Sequence, residues 1–218
     1  MRIRSFIIAY ALVLAILLFA DRRPHPAPQS GYSHIVDLTI GKSTAGKNPV
    51  PIQSASRTEI IAPGALIPGT WAAGEIPAER LIAPLVVMDL NVSPPAQISL
   101  DDIAAWESKH GAVPQGAVVA IRHPAAAGVA SSTAMPISSE AVEFLMDARY
   151  TTGFAIESRP DFASDRTLAR QIALHGNYVI ESASHLTTLP ANGSIIIVAP
   201  SKDKNARQDQ VRVLAMVR

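Results

Sequence analysis

The chain has 218 residues, 48% hydrophobic and 17% charged, enough to bury the core of one domain or two, and this balance excludes disorder. Seventeen prolines and twelve glycines are too few for a collagen-like or low-complexity chain. The absence of cysteine excludes disulfides, a thiolate nucleophile and cysteine-ligated zinc or iron–sulfur centres, and 19 basic against 18 acidic residues leave no footprint for nucleic acid.

Residues 1–20 stand apart from the rest. Arg2 and Arg4 precede an uncharged apolar run from Ser5 to Ala20, the order of a secretory signal. The run is slightly shorter than the roughly 17–25 residues that span a bilayer. Ala20 suits a cleavage site, whereas Leu18 is larger than the usual residue two places earlier, so a cleaved signal peptide and a retained anchor both stay open. Either way the domain is expected to be exported, to the periplasm or the outer face of the cytoplasmic membrane. A proline-rich linker, 21–32, leads to a domain at 33–218.

From Ser33 the pattern alternates strand and helix. Strands are expected at Ser33–Ile40, Arg57–Ala62 and Leu85–Leu90, the last a short buried run. Ser99 opens a helix, with Asp102 closing a capping box and Gly111 as its stop. Leu100, Ile103, Ala104 and either Trp106 or Ala105 give that helix its apolar face. Ala117–Ile121 is the next strand, and Ser138 or Ser139 caps a helix with Val142, Leu145 and Met146 on one side. A short strand follows Gly153, then a helix from Ser164 with Leu168, Ile172 and Leu174, ending at His175-Gly176. Tyr178–Ile180, Ser194–Ala199 and Val211–Val217 complete a single α/β domain without internal repeats.

Most motif-like features carry little. Gly41 to Lys47 imitates a phosphate-binding loop, but Asn48 replaces the required Ser or Thr, and Pro49 and Pro51 block the helix that should follow. The six histidines (His25, His34, His110, His123, His175 and His185) form no local ligand cluster. His110 and His175 stand at helix C-termini beside glycine, where an imidazolium complements the helix dipole. No Gly-x-Ser-x-Gly elbow supports a serine hydrolase.

Arg57-Thr58-Glu59-Ile60-Ile61-Ala62-Pro63-Gly64-Ala65-Leu66 resembles the Gly-Thr-His-x-Asp-x-Pro-x-His-Phe signature of the cyclase family, metal-dependent hydrolases that include bacterial kynurenine formamidase. Ile35 to Thr39 is similar to the family's opening Asp-Leu-Ser/Thr strand, and Glu75 to Asp89 to the stretch after the signature. Gly153 to Asp161 resembles its Gly-Ile-Asp-x-x-Ser-x-Asp turn, Tyr178 to Glu181 its late strand ending in a functional glutamate, and Pro200 to Ala215, with Arg212, its closing hairpin. The resemblance runs over roughly residues 33–217 in family order. It implies a single layered α/β domain, a mixed sheet with flanking helices, assembled as a homodimer or larger.

The same resemblance shows which chemistry is missing. In the family, histidines and an aspartate hold a divalent ion that acidifies water and polarises an amide carbonyl. Those ligands map onto Ala55, Glu59, Ile61 and Ala65, and the histidine paired with the late glutamate onto Ala169 or Arg170. Glu181 alone keeps a functional residue's place, as a candidate catalytic group. Glu59 and Glu181 are a possible remnant metal pair, but two carboxylates without nitrogen ligands do not make a tight zinc or manganese site. Glu59 is read first as a partner of Arg57 or another base. Two functions stay in view. One is an exported, non-catalytic relative that binds an unidentified small molecule or scaffolds a partner without a cofactor, touching the membrane through residues 5–20 if these are retained. The other is an arylformamidase-type hydrolase, using zinc or manganese on an N-formyl aryl amine or cyclic amide.

Overall fold

Nine strands form one mixed sheet in the computed structural model, which describes residues 31–40, 58–89, 97–122, 135–157, 166–206 and 208–218. The strands are β1 (His34–Asp37), β2 (Glu59–Ile61), β3 (Ile82–Asp89), β4 (Val118–Arg122), β5 (Gly153–Ile156), β6 (Tyr178–Glu181), β7 (Ser194–Ala199), β8 (Gln208–Gln210) and β9 (Arg212–Val217). The helices are α1 (Pro63–Leu66), α2 (Leu100–His110), α3 (Ser139–Arg149) and α4 (Arg166–Leu174). The chain divides into two units, Met1–Gly31 and Tyr32–Arg218, and the described residues belong to the second except for Gly31. The expected export segment at 1–20 and all but the end of the linker at 21–32 lie outside the described residues, as do the loop at 41–47, Arg57, Ser158 and Asp161. No helix among the described residues is long and apolar enough to cross a membrane.

The strand order is β1-β9-β7-β3-β4-β5-β6-β2-β8. β3 to β6 are mutually parallel, as their connections through α2, α3 and α4 require, and the flanking pairs are antiparallel. Only Val211 separates β8, at one end of this order, from β9, next to the other end. The sheet therefore curls until its two ends meet. Ile40 N–H, after β1, donates to the Thr58 hydroxyl beside β2 at 2.8 Å, and Ser184 N–H, after β6, donates to the Leu38 carbonyl at 2.9 Å, joining those two ends.

Two cores result. The inside of the curl is filled by Leu38, Ile60, Leu85, Tyr178, Ile196 and Val213 among others. The outer face of β3 to β6 meets the helices through Val86, Val119, Phe154, Val179, Ile103, Leu145 and Ile172. These strands are buried on both faces, which is why they read as apolar runs and not as alternation.

The caps expected for α2 and α3 are present. Ser99 and Asp102 exchange the reciprocal capping bonds, Gly111 ends α2 at φ 87°, and the Ser138 hydroxyl accepts from Ala141 N–H. Gly153 is required because a Cβ there would lie 2.7 Å from the Tyr178 carbonyl oxygen. Pro84 falls inside β3, where β7 is the only strand neighbour and β4 joins one residue later at Leu85, so a missing N–H is tolerated. Some expectations fail in detail. Leu100 and Leu174, placed on apolar faces, are 44% and 62% exposed because they stand at helix ends beyond the sheet's cover. Ala104 and Ala105 are exposed as well, leaving Ile103 and the half-buried Trp106 to anchor α2. The closing segment is also more than a hairpin: β7 and β9 pair, but the chain between them first adds β8 to β2.

Candidate functional site

Parallel strands bring their carboxyl ends to one edge of the sheet, the usual place for ligands in open α/β folds. Here Asp89 ends β3, Arg122 ends β4, Glu157 follows β5 and Glu181 ends β6. β2 runs against β6 and starts at the same edge, so Glu59 stands directly opposite Glu181. Directly paired residues of antiparallel strands share a sheet face, so the two candidate carboxylates are neighbours. Glu181 is buried, and Glu59 is half-buried between β6 and Gln210 of β8. Thr58, also buried, ties this corner together. Its hydroxyl accepts from Ile40 N–H at 2.8 Å and donates to the Ser182 carbonyl at 2.8 Å, which fixes the turn after Glu181.

The other mapped positions provide no ligand atoms. Ile61 is 5% exposed, opposite Val179 and inside the helix-side core. Ala65 packs against that core from α1, and Ala169 is buried on α4, against which α1 packs. Ala55 lies outside the described residues, and Arg170 is exposed. The fold thus brings together the elements that carry a signature site, but with methyl and butyl groups in place of imidazole and carboxylate. Among the described residues, no group of three or more His, Asp or Glu side chains could hold a metal ion. Among the described residues, the donors at these positions do not fit a tightly held zinc or manganese ion, which requires nitrogen ligands or several converging carboxylates.

Further along the same edge is a cluster that the sequence did not reveal. Arg122 clasps Asp89 through both carboxylate oxygens and donates Nη1 to the Leu186 carbonyl at 3.3 Å. The Asp89 hydrogen bond, aided by the field of Glu157, holds the guanidinium above its ordinary pKa. Beside it, a cleft of about 230 Å³ opens between β3 and α2, lined by Val87, Met88, Asp89, Trp106, Lys109 and His110 among others. Trp106 is set there by its indole N–H, which donates to the Val87 carbonyl at 2.9 Å. An aromatic wall with a base and an acid at its rim can accept a small polar aromatic molecule.

His175, expected to cap a helix end, approaches the Gln171 carbonyl of its own last turn and Asp147 of α3, both at 3.0 Å.

The family model described as "Putative cyclase" matches residues 21–159. The chain belongs to the cyclase family. The isatin hydrolase of Roseibium aggregatum is 28% identical over 164 residues, which span 64% of this chain and 61% of that relative. Among solved structures, isatin hydrolase A from Labrenzia aggregata bound to benzyl benzoate is 25% identical with a TM-score of 0.67, over 84% of this chain and 93% of that one. Isatin hydrolase A from Ralstonia solanacearum shares the fold at 21% identity and a TM-score of 0.64, over 96% and 97% of the two chains. A structure described as a potential metal-dependent hydrolase with cyclase activity, 20% identical, shares it at 0.64, over 85% and 98%. This cyclase-family chain is therefore related to isatin hydrolases and has their curled mixed sheet.

Proposed function

We propose that this cyclase-family protein is exported and binds a small molecule on the inherited fold without hydrolysing it. One observation carries the reading: Ile61 occupies the position of the signature aspartate and is buried in the core, so neither a rotamer change nor another metal turns that position into a ligand. Ala65 and Ala169 leave the same gap on α1 and α4. Export rests on the charged-then-apolar order of residues 1–20. The names of the relatives suggest a compact aromatic lactam of isatin's kind as the ligand class, and the Trp106 cleft suits a planar ring. The alternative, a metal-dependent hydrolase of a cyclic amide or an N-formyl aryl amine, has the isatin hydrolase relatives in its favour.

The test is turnover. Purified protein is incubated with isatin, and separately with N-formylkynurenine, in added manganese or zinc, and ring opening or deformylation is followed by absorbance. Conversion no faster than in protein-free buffer is expected. Saturable, protein-dependent conversion of either compound would overturn the binding reading in favour of the hydrolase.

A further inference from the structure

A backbone nitrogen can attack the side-chain amide of the asparagine before it, and it does so most readily in glycine, which puts no Cβ in the way. The chain has five asparagines, and the residue after each decides whether this route is open. Asn48 precedes Pro49, which has no N–H to lose. Asn91 precedes the β-branched Val92, Asn177 precedes Tyr178, and Asn205 precedes Ala206. Asn192 alone precedes a glycine, Gly193.

The fold places this pair as the reaction requires. Asn192 and Gly193 form the bend that leads into β7. Gly193 is exposed at φ 90°, with open space where a Cβ would stand, so solvent base reaches its N–H. The Asn192 amide is held from both ends. Its Nδ2 donates to the His110 carbonyl at 3.3 Å, and its Oδ1 accepts from Gly193 N–H at 2.7 Å. The carbon Cγ, one C=O bond from that oxygen, is thereby kept close to the Gly193 nitrogen, in a near-attack arrangement. Asn177, by contrast, is only 2% exposed, and its Oδ1 is taken by the Arg80 guanidinium at 2.7 Å. Asn205 is exposed, but the Cβ of Ala206 hinders the approach.

We propose that Asn192 is a site of spontaneous deamidation, which adds a negative charge at the end of α2, beside the Trp106 cleft. Base removes the Gly193 N–H proton, the nitrogen's electron pair forms a bond to Cγ, and the Cγ–Nδ2 bond breaks, with Nδ2 leaving as ammonia. Water then opens the five-membered imide. Opening at Cγ gives aspartate, and opening at the backbone carbonyl gives isoaspartate, whose main chain runs through the former side chain. One water is consumed and one ammonia released, and nothing is oxidised or reduced. Either product removes the donor to the His110 carbonyl and sets a carboxylate at the negative end of the α2 dipole. Isoaspartate also lengthens the backbone next to Ala191, which lines the cleft and whose carbonyl accepts from Val87 N–H at 2.9 Å. The inference does not depend on whether the protein hydrolyses anything.

The test is to hold the purified full-length chain at growth temperature in mildly alkaline buffer, sample it over days and digest each sample with trypsin. Peptide 171–202 carries Asn177 and Asn192 together, so one fragment spectrum compares them. The mass gain of an NH2-to-OH exchange is expected at 192, about tenfold or more ahead of 177 and 205. Isoaspartyl methyltransferase should label the same peptide. Isoelectric focusing of the intact chain should show a new acidic band, absent from the Asn192→Gln variant, whose circular dichroism should match the parent's. No conversion at 192 in the folded chain, while the excised peptide converts, overturns the proposal, since the bend then protects the amide. So does conversion at 205 equal to that at 192, or an acidic band that persists in Asn192→Gln. Aspartate without isoaspartate would rule out attack by Gly193 and overturn it as well.

Discussion

At the scale of single residues, β2 puts Ile60 into the curl and Ile61 against the helices, where a ligating strand would need a carboxylate facing open space. Ile61→Asp alone is expected to cost about 2–4 kcal/mol, from lost burial plus an unpaired carboxylate in the core. Thermal or urea unfolding reads this directly. Combined with Ala55→His, Glu59→His and Ala65→His, the same change rebuilds the signature, and added zinc or manganese should then raise the melting temperature of the variant. A folded quadruple variant with no metal-dependent shift would mean the residue mapping is wrong. A second expectation concerns acid. Hydrogen bonds from the Ser99 hydroxyl and backbone lower the Asp102 pKa below its ordinary 3.8, and the Arg149 fork lowers that of Glu107 below 4.5. Carboxyls depressed in the native state stabilise it fully above those ordinary values and lose that contribution as the pH falls through the lower native ones. Stability should therefore decline below about pH 4, modestly because both groups meet solvent. The Glu107→Gln variant should show a shallower decline, measured as melting temperature against pH.

Elements were legible where the code for them is local. Ser99, Asp102 and Gly111 specify α2 within thirteen residues, and Ser138 specifies the start of α3, so both helices follow from capping chemistry. Ser99→Ala should accordingly cost roughly 1 kcal/mol, seen as a fall in the denaturant midpoint. Gly153→Ala should cost more, about 1–3 kcal/mol, because the new methyl meets the Tyr178 backbone and ring and neither can yield without moving β6. Strand β8 was not legible: Gln208-Asp209-Gln210 has no apolar pattern, and it becomes a strand only because closure of the sheet brings it to β2. The candidate site divides the same way. Glu59 and Glu181 were visible through a signature and a strand end. Asp89 and Arg122 were not, since they are 33 residues apart and meet only through the parallel register of β3 and β4.

At the scale of the whole molecule, the curl is what lets a short chain enclose one core inside the sheet and set another under its helices. Export belongs to this scale too: a periplasm-active reporter fused after Arg218 should be active and a cytoplasm-only reporter silent. The opposite pattern would refute the reading of residues 1–20. The central proposal is that the cyclase fold persists here without a metal–water centre, because Ile61, Ala65 and Ala169 cannot ligate and no group of three candidate ligands meets among the described residues. The most direct test is elemental analysis of the full chain, purified without chelators from manganese- and zinc-supplemented cells. The protein should carry no divalent metal in stoichiometric amount. One tightly held zinc or manganese ion per chain, retained through dialysis, would contradict the account.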